Sequence, residues 1–582
     1  MNVLGINAYH GDASAAIISD GQLVAAVEEE RFTRVKHTAG FPQNAVRYCV
    51  EFAGLKPEEI DHVAISRNPS AHLHKKLLFT FSRLPSLDLL KNRLANAARV
   101  TDVKGQVAKA LAVDQGRLGC AVHNVEHHRA HLASGYFVSG FDEAAVLSVD
   151  GFGDFVSAMW GLGRGNLIDV TGWVEFPHSL GLAYTAVTQF LGFPKYGDEF
   201  KVMGLASYGE PAYMDEFREL IKVSENGVGY RLNLPYFVHH RGGVTMTWEE
   251  GPPILGSAYS DKMVELLGPP REPAADIEKR HQDIAASLQA MLEIAMFDML
   301  GHLHGLYGVD KLCLAGGVAL NCTVNGKILS RTPFKEVYIQ PASHDGGTSL
   351  GAAYWVWHQI LGNRRDFTME HVYWGPGFGH EDIANAIRER SDQIARQCCL
   401  IRKFDDLDQI CRWTAGKVAE GKVVGWFQGR TEWGPRALGN RSIVVDPRKA
   451  EMKDVLNSRI KRREPFRPYA PSVLEEAQGT YFKDTRRSPF MLTSCDVVGK
   501  DLPAVTHVDG TARPQTVNKS INRPYWQLIK EFEKQTGVPV VLNTSFNENE
   551  PIVCAPGEAI ECFLRTKMDV LVMGSLVLYR GD

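Results

Sequence analysis

A strand-turn-strand-turn-strand unit that occurs twice constrains this chain more than any other feature. The first copy reads VLGINA (3–8), a glycine-containing turn, SAAIIS (14–19), the tight turn Asp20-Gly21 and QLVAAVEEE (22–30). The second reads AAVLSVD (144–150), Gly151-Phe152-Gly153-Asp154, VSAMWGLG (156–163), a turn at Arg164-Gly165-Asn166 and LIDVTGWVEF (167–176). Helical segments follow each copy, so the pattern predicts a duplicated, two-lobed α/β fold with a hairpin tip from each half at the cleft. Two unrelated β-meanders would read the same way, because hairpins are common.

Two more units, at 311–360, each read strand, Gly-Gly, helix. KLCLA runs into Gly316-Gly317 and VALNCTVNGKIL; KEVYIQPAS runs into Asp345-Gly346-Gly347 and SLGAAYWVWHQIL. Such turns point backbone N–H groups outward at a helix N-terminus, where phosphate binds, although plain tight turns use the same residues. Gly347-Thr348-Ser349-Leu350-Gly351 matches G-x-S-x-G. The Asp-Gly-Gly turn before it argues against a serine nucleophile, which would need His507 or His380 as its partner. No G-x-x-x-x-G-K-[ST] occurs.

A length of 582 residues is enough for three to four domain-sized units. A Pro/Gly-rich stretch and a helix near 365–400 separate the duplicated region, 1–372, from a third block, with 373–400 as linker and 401–582 as a further α/β domain. Its strands are KVVGWFQ, RSIVVD, PVVLNTSF and VLVMGSLVLY. Residues 66–110 look like an inserted helical segment, with Lys75, Lys76, Arg83, Lys91, Arg93, Arg99, Lys104 and Lys109 opposed only by Asp88 and Asp102. A solvated basic face explains it, and an acceptor-binding surface is the alternative. A net charge of -4 offers no positive field for nucleic acid. Ten scattered cysteines without a CxxC pair suit reduced thiols. The sequence shows no signal peptide and no run of about 18 apolar residues, which predicts a cytoplasmic protein without a membrane partner.

Glu126-His127-His128-Arg129-Ala130-His131 places His127 and His131 at i,i+4, on one face of a helix and able to share a metal. Asp150 and Asp345, at strand ends, are expected at the same cleft. Two His with one or two Asp suit Fe(II), Mn(II) or Zn(II) better than Mg(II). In the third block, Arg430, Arg436 and Arg441 are followed by Lys461, Arg462, Arg463 and Arg467. So many cations among glycines imply a small, dense anion, because guanidinium forks match phosphate. Arg513 and the Asn543-Thr544-Ser545-Phe546-Asn547 run add further donors.

These motifs together resemble the O-carbamoyltransferases related to nodulation protein U and the antibiotic carbamoyltransferases. The resemblance spans essentially the whole chain. It is carried by HGDASAA (10–16), EERFTRVKH (29–37), EHHRAH (126–131), VDGFGD (149–154), KVMGLASYG (201–209), LAGGVALNC (314–322) and SHDGGTSLGAA (343–353). In the third block it rests on GRTEWGPRALGNRSI (429–443), KRREPFRPYAP (461–471), DGTARPQTV (509–517) and LNTSFNENEPIV (542–553).

The resemblance implies an N-terminal actin-like, Kae1-like domain joined to a C-terminal YrdC/Sua5-like domain. It implies that the C-terminal domain makes carbamoyl-adenylate from carbamoyl phosphate and ATP, with Mg(II) as a companion of ATP. The N-terminal domain would then carbamoylate a hydroxylated small molecule, a sugar or specialised metabolite such as an antibiotic. By motif position, the resemblance implies that His127, His131, Asp150 and Asp345 would hold the metal, with Fe(II) the metal it points to first, and that His10 would take the hydroxyl proton. Gly316, Gly317, Asn321, Gly346 and Gly347 would cradle nucleotide. Arg436, Lys461, Arg467, Arg513, Asn543 and Ser545 would bind carbamoyl phosphate and ATP, with Arg430 and Arg441 as weaker candidates. A second Arg expected after Arg513 is absent; Lys519 stands near that place, and Lys201 has no assigned role. A tRNA threonylcarbamoyl-type transferase and a non-catalytic nucleotide-binding regulator are the alternatives. Neither the acceptor nor the number of subunits is written in these motifs.

Overall fold

The structure, a computed structural model, describes residues 1–76, 102–225, 227–241, 251–484, 486–499 and 501–581. They divide into two compact units, Met1–Met369 and Glu370–Asp582. Most of the basic insert therefore lies outside the described residues.

The first unit holds two five-stranded sheets built on one plan. In the first, β1 (Asn2–Asn7), β2 (Ser14–Ser19) and β3 (Gln22–Glu28) form an antiparallel meander, and β4 (His62–Ile65) and β5 (Ala121–Asn124) continue parallel to β1. The order is β3-β2-β1-β4-β5. In the second, β6 (Glu143–Gly153), β7 (Val156–Arg164) and β8 (Leu167–Glu175) repeat the meander, a small hairpin of β9 (Ile221–Val223) and β10 (Tyr230–Leu232) stands apart, and β11 (Lys311–Ala315) and β12 (Glu336–Ile339) run parallel to β6. The order β12-β11-β6-β7-β8 is the same plan, so the repeated unit read from the sequence is a duplicated sheet. β1 is buried along almost its whole length because elements cover both faces, whereas edge strand β8 alternates buried and exposed positions.

Helix α1 (Gln43–Phe52) covers β2 and β3 with Ala45, Val46, Cys49 and Val50. Helix α2 (His127–Tyr136) follows β5 and is buried nearly throughout. Helix α3 (Lys279–Tyr307) is, among the described residues, the one helix long and apolar enough to cross a membrane by length and composition. Its apolar residues are interrupted by Glu293 and Asp298, so they form no continuous run, and 67% of the apolar window is buried inside the unit. Helix α4 (Thr348–Tyr354) packs against both β1 and α2. At Gly351 the contact with α2 is backbone to backbone: a Cβ there would stand 1.8 Å from the Ala130 carbonyl oxygen.

The second unit is built on one mixed eight-stranded sheet. Its strands are β13 (Cys399–Lys403), β14 (Val424–Phe427), β15 (Arg441–Val445), β16 (Ala470–Leu474), β19 (Gln515–Val517), β20 (Val540–Ser545), β21 (Val570–Met573) and β22 (Leu576–Arg580). A separate two-stranded ribbon is formed by β17 (Cys495–Asp496) and β18 (Thr511–Ala512). Trp426, Ile443, Leu542 and Phe563 are among the residues of its core. Residues 373–400, read above as a linker, carry helices at His380–Glu389 and Ser391–Arg396 whose Ile383, Ile387 and Ile394 are buried in that same core. All ten cysteines are free.

Candidate active site

The four residues proposed as metal ligands converge in the first unit. α2 supplies His127 and His131, β6 supplies Asp150 near its end, and the turn before α4 supplies Asp345. One donor atom from each lies within 4.8 Å of all the others. His131 Nε2 is 3.1 Å from His127 Nε2 and 2.8 Å from Asp150 Oδ2; Asp345 Oδ1 is 3.4 Å from His127 Nε2 and 3.5 Å from His131 Nε2. Donors at about 2.1 Å from a shared cation stand about 3.0–3.4 Å from one another, so the spacing fits a divalent metal with nitrogen and oxygen ligands. Burial works against charge on His127, but Asp345 and Asp150 outweigh it and push its pKa up to about 10. Burial would raise Asp150, yet hydrogen bonding to the two imidazoles holds it well below the usual carboxylate range. A cluster that draws protons this strongly is one that a cation would satisfy. His128 points away and is fully used, with Nδ1 at 2.8 Å from Ser148 Oγ and Nε2 at 3.0 Å from the Val156 carbonyl oxygen.

His10 lies in the β1–β2 loop, its ring stacked on His127 at 4.6 Å and its Nδ1 at 3.9 Å from Asp345 Oδ2. Burial and the neighbouring His127 push its pKa well below 6.5, so the imidazole is neutral and able to accept a proton. The loop is fixed by Asn7, whose amide donates to the Gly11 and Asp12 carbonyls. Beside it, Asp12 pairs with His37 at 2.8 Å and approaches His344 Nδ1 at 3.5 Å. Glu29 caps α1 through the Asn44 and Ala45 amides, and Glu30 accepts from the His37 amide. Much of the EERFTRVKH segment therefore holds the loop together.

The glycine turns stand where the sequence put them, but their groups are engaged locally. The Gly346 amide donates to His344 Nδ1 at 2.9 Å, and the Gly347 amide to the His344 carbonyl at 3.0 Å. Gly316-Gly317 passes close behind β6, with Gly317 against Asp150. The Asn321 side chain accepts from the Val324 amide at the start of the helix Cys322–Arg331 and pairs with Gln289. Lys201 pairs with Asp198 at 2.9 Å, across Phe193.

In the second unit, Lys461 and Ser545 meet. The Lys461 ammonium, 2% exposed, donates to the Ser545 carbonyl at 2.5 Å and to Asn547 through its Oδ1 at 2.7 Å and its carbonyl at 2.8 Å. These acceptors are neutral oxygens, and they hold the ammonium group beside Ser545 and Asn547. Arg463 and Arg467 lie close together, and burial with the Arg463 charge pushes the Arg467 pKa down to about 10, although Glu464 pairs with Arg467 at 3.5 Å. Arg463 lies over Tyr469, whose backbone touches His507, and Arg513 lies near His507. Asn543 donates to the Ala437 carbonyl beside Arg436, to Ser472 Oγ and to Gln515 Oε1. Arg441 is instead a core residue that donates to the carbonyls of Gln428, Gly429 and Asn440, and Arg430 donates to those of Gly375 and Trp374. Lys519 sits over the Trp526 ring at 4.8 Å.

The family models for the carbamoyltransferase N-terminus and C-terminus match residues 2–354 and 415–580. The chain belongs to the carbamoyltransferase family. It is 39% identical over 586 residues to nodulation protein NolNO of Sinorhizobium fredii, covering 98% of this chain and 79% of that one. An uncharacterized protein of Synechocystis is 40% identical over 617 residues, covering 99% and 96%. The 3'-hydroxymethylcephem-O-carbamoyltransferase of Amycolatopsis lactamdurans is 37% identical over 370 residues, covering 63% and 62%.

Three residues of this carbamoyltransferase escape a reading by residue type alone. Asn547 completes the Lys461 site, and its place two residues after Ser545 was the available signal. Arg463 was one of several cations in its run, and only folding sets it beside Arg467. Glu432, 1% exposed, accepts the amides of Leu438, Asn440 and Arg441 through one oxygen and so folds the loop that presents Arg436.

Proposed function

We propose that this carbamoyltransferase is an ATP-dependent O-carbamoyltransferase with a Kae1-like first unit and a YrdC/Sua5-like second unit. In the second unit water would cleave carbamoyl phosphate to carbamate and inorganic phosphate, and a carbamate oxygen would then bond to the α-phosphorus of ATP as pyrophosphate leaves, with Mg(II) accompanying ATP. Lys461, Arg467, Arg513 and Arg436 would balance the phosphate charges while Ser545 and Asn543 orient them. A metal held by His127, His131, Asp150 and Asp345, with Fe(II) first and Mn(II) or Zn(II) as alternatives, would supply a Lewis acid for the carbamoyl oxygen. His10, neutral and stacked on His127, takes the proton of the acceptor hydroxyl as its oxygen bonds to the carbamoyl carbon and AMP leaves. The acceptor we infer is an alcohol of a sugar or specialised metabolite, and the reaction is placed in the cytoplasm, where ATP is made available.

The convergence of four metal-type donors beside a neutral His10 is the observation that supports this reading most. Incubation with ATP and carbamoyl phosphate, without acceptor, tests the activating step. Pyrophosphate release that depends on carbamoyl phosphate is expected; ATP binding without release would favour a nucleotide-binding regulator.

A further inference from the structure

Metal-binding histidines are usually oriented by a hydrogen bond to the ring nitrogen that does not face the metal. His127 and His131 lack one: both Nδ1 atoms are buried without a hydrogen-bond partner among the described residues. Something other than that bond must fix the His127 ring.

The tip of the β6–β7 hairpin meets this need. Gly153 lies flat against the imidazole, so closely that a Cβ there would be 2.0 Å from His127 Cδ2. The next residue, Asp154, accepts the His127 amide at 3.0 Å and the Asn68 amide at 2.8 Å through the same oxygen, Oδ2. The N-terminus of α2 needs such an acceptor, because Glu126 at its cap position makes no side-chain capping bond. Asp154 therefore caps the metal-type helix from a different element, and its negative charge suits the positive helix end.

The tip is also strained. Asp154 has φ 51° and Phe155 has φ 79°, a left-handed pair of the kind that hairpins normally fill with Asn-Gly. A phenylalanine at such a φ needs compensation, and its ring finds it on Phe176 at 5.5 Å, with Phe152 on Phe176 at 5.0 Å. The aromatic contacts hold the tip down, and the tip holds the helix.

We infer that the hairpin tip Gly153–Phe155 is a clamp that orients His127 as a metal ligand, with Asp154 as its positioning residue. The inference rests on the metal reading proposed above. Co(II) titration of the whole protein, followed by visible absorption and by equilibrium dialysis, tests it together with the melting temperature. Asp154→Ala should weaken Co(II) binding by about 10- to 100-fold, the usual effect of losing a group that orients a ligand. Asp154→Asn, which keeps an oxygen acceptor, should restore most of the affinity. Equal affinity in wild type and Asp154→Ala, or an Asp154→Asn protein as weak as Asp154→Ala, would overturn the clamp. Should Asp154→Ala fail to fold, Phe155→Gly serves: relief of the left-handed strain should leave melting unchanged or higher while Co(II) binding weakens, and unchanged binding refutes the inference. A wild-type protein that binds no Co(II), Fe(II), Mn(II) or Zn(II) would instead remove the metal reading itself, and the clamp with it.

Discussion

Replacing Asp12 with Asn should remove a specific slope from the pH dependence of stability. In the native protein burial opposes charge on His37, yet the Asp12 carboxylate at 2.8 Å, with Glu30 behind it, raises its pKa from 6.5 to about 9. Burial would raise Asp12, but His37 and His344 lower it from 3.8 to about 2. The His37 shift corresponds to about 3 kcal/mol and the Asp12 shift to about 2.5 kcal/mol. The two describe one interaction and are not added; the Asp12 figure is the better guide to its removal, because Glu30 accounts for part of the shift at His37. With the side chains 29% and 11% exposed, about 2.5 kcal/mol is a fair upper value. The native state keeps the His37 proton up to about pH 9, whereas the unfolded chain gives it up near 6.5. The contribution is therefore complete below about 6.5 and is lost as pH rises through 9. On the acid side it is present above about 3.8 and disappears as pH falls through 2. Calorimetric melting of wild type and Asp12→Asn at about pH 6 and about pH 9.5, with NMR titration of labelled histidines, reads this directly. The gap between the proteins should be largest at the lower pH and close at the higher. An equal gap at both, or a wild-type His37 that titrates near 6.5, would refute the reasoning.

Three further outcomes are expected. His131→Ala should weaken metal binding by more than about 100-fold, beyond the loss from an orienting group alone, and abolish carbamoyl transfer while carbamoyl-phosphate-dependent pyrophosphate release continues. Metal dialysis and separate assays of the two half-reactions check this. Lys461→Met should slow pyrophosphate release by at least about 30-fold, equivalent to about 2 kcal/mol for losing a buried charged partner; unchanged release would take Lys461 out of the site. Glu432→Ala strands three amides and should destabilise the second unit by about 3 kcal/mol or more, seen as an earlier denaturant midpoint, whereas Glu432→Gln, which keeps an accepting oxygen, should recover much of the loss.

The alternation of short strands and glycine turns made the first unit legible. Strands read at 3–8, 14–19 and 22–30 stand at Asn2–Asn7, Ser14–Ser19 and Gln22–Glu28, and the second meander follows with similar fidelity. Period and turn chemistry are local, so they survive without tertiary knowledge. The segment VLVMGSLVLY, read as one strand, folds back into β21 and β22, because an apolar run conceals a hairpin when its turn is only two residues. The metal-type donors were legible because His127 and His131 share a helix face and Asp150 lies near the end of β6; Asp345, expected at a strand end, stands instead six residues past β12, in the turn before α4. The competing uses of polar groups were not: Asn321 caps a helix and the Gly346 amide meets His344, engagements that depend on which side chains folding brings near. Arg441 is the plainest case, a motif arginine turned inward against Phe427 at 3.6 Å.

The contact of Gly351 with the Ala130 carbonyl has a consequence for how this scaffold can vary. No layer of side chains separates α2, which bears two of the metal-type donors, from α4, whose preceding turn bears a third. A side-chain layer can be repacked by drift, one methyl group at a time, and each change would alter the spacing between donors. Two backbones in direct contact offer no such freedom, so heritable variation at this seam is confined to residues that leave glycine in place. Divergence toward new acceptors must then accumulate in the segments around the pair, while the reactive centre is inherited as a single mechanical piece.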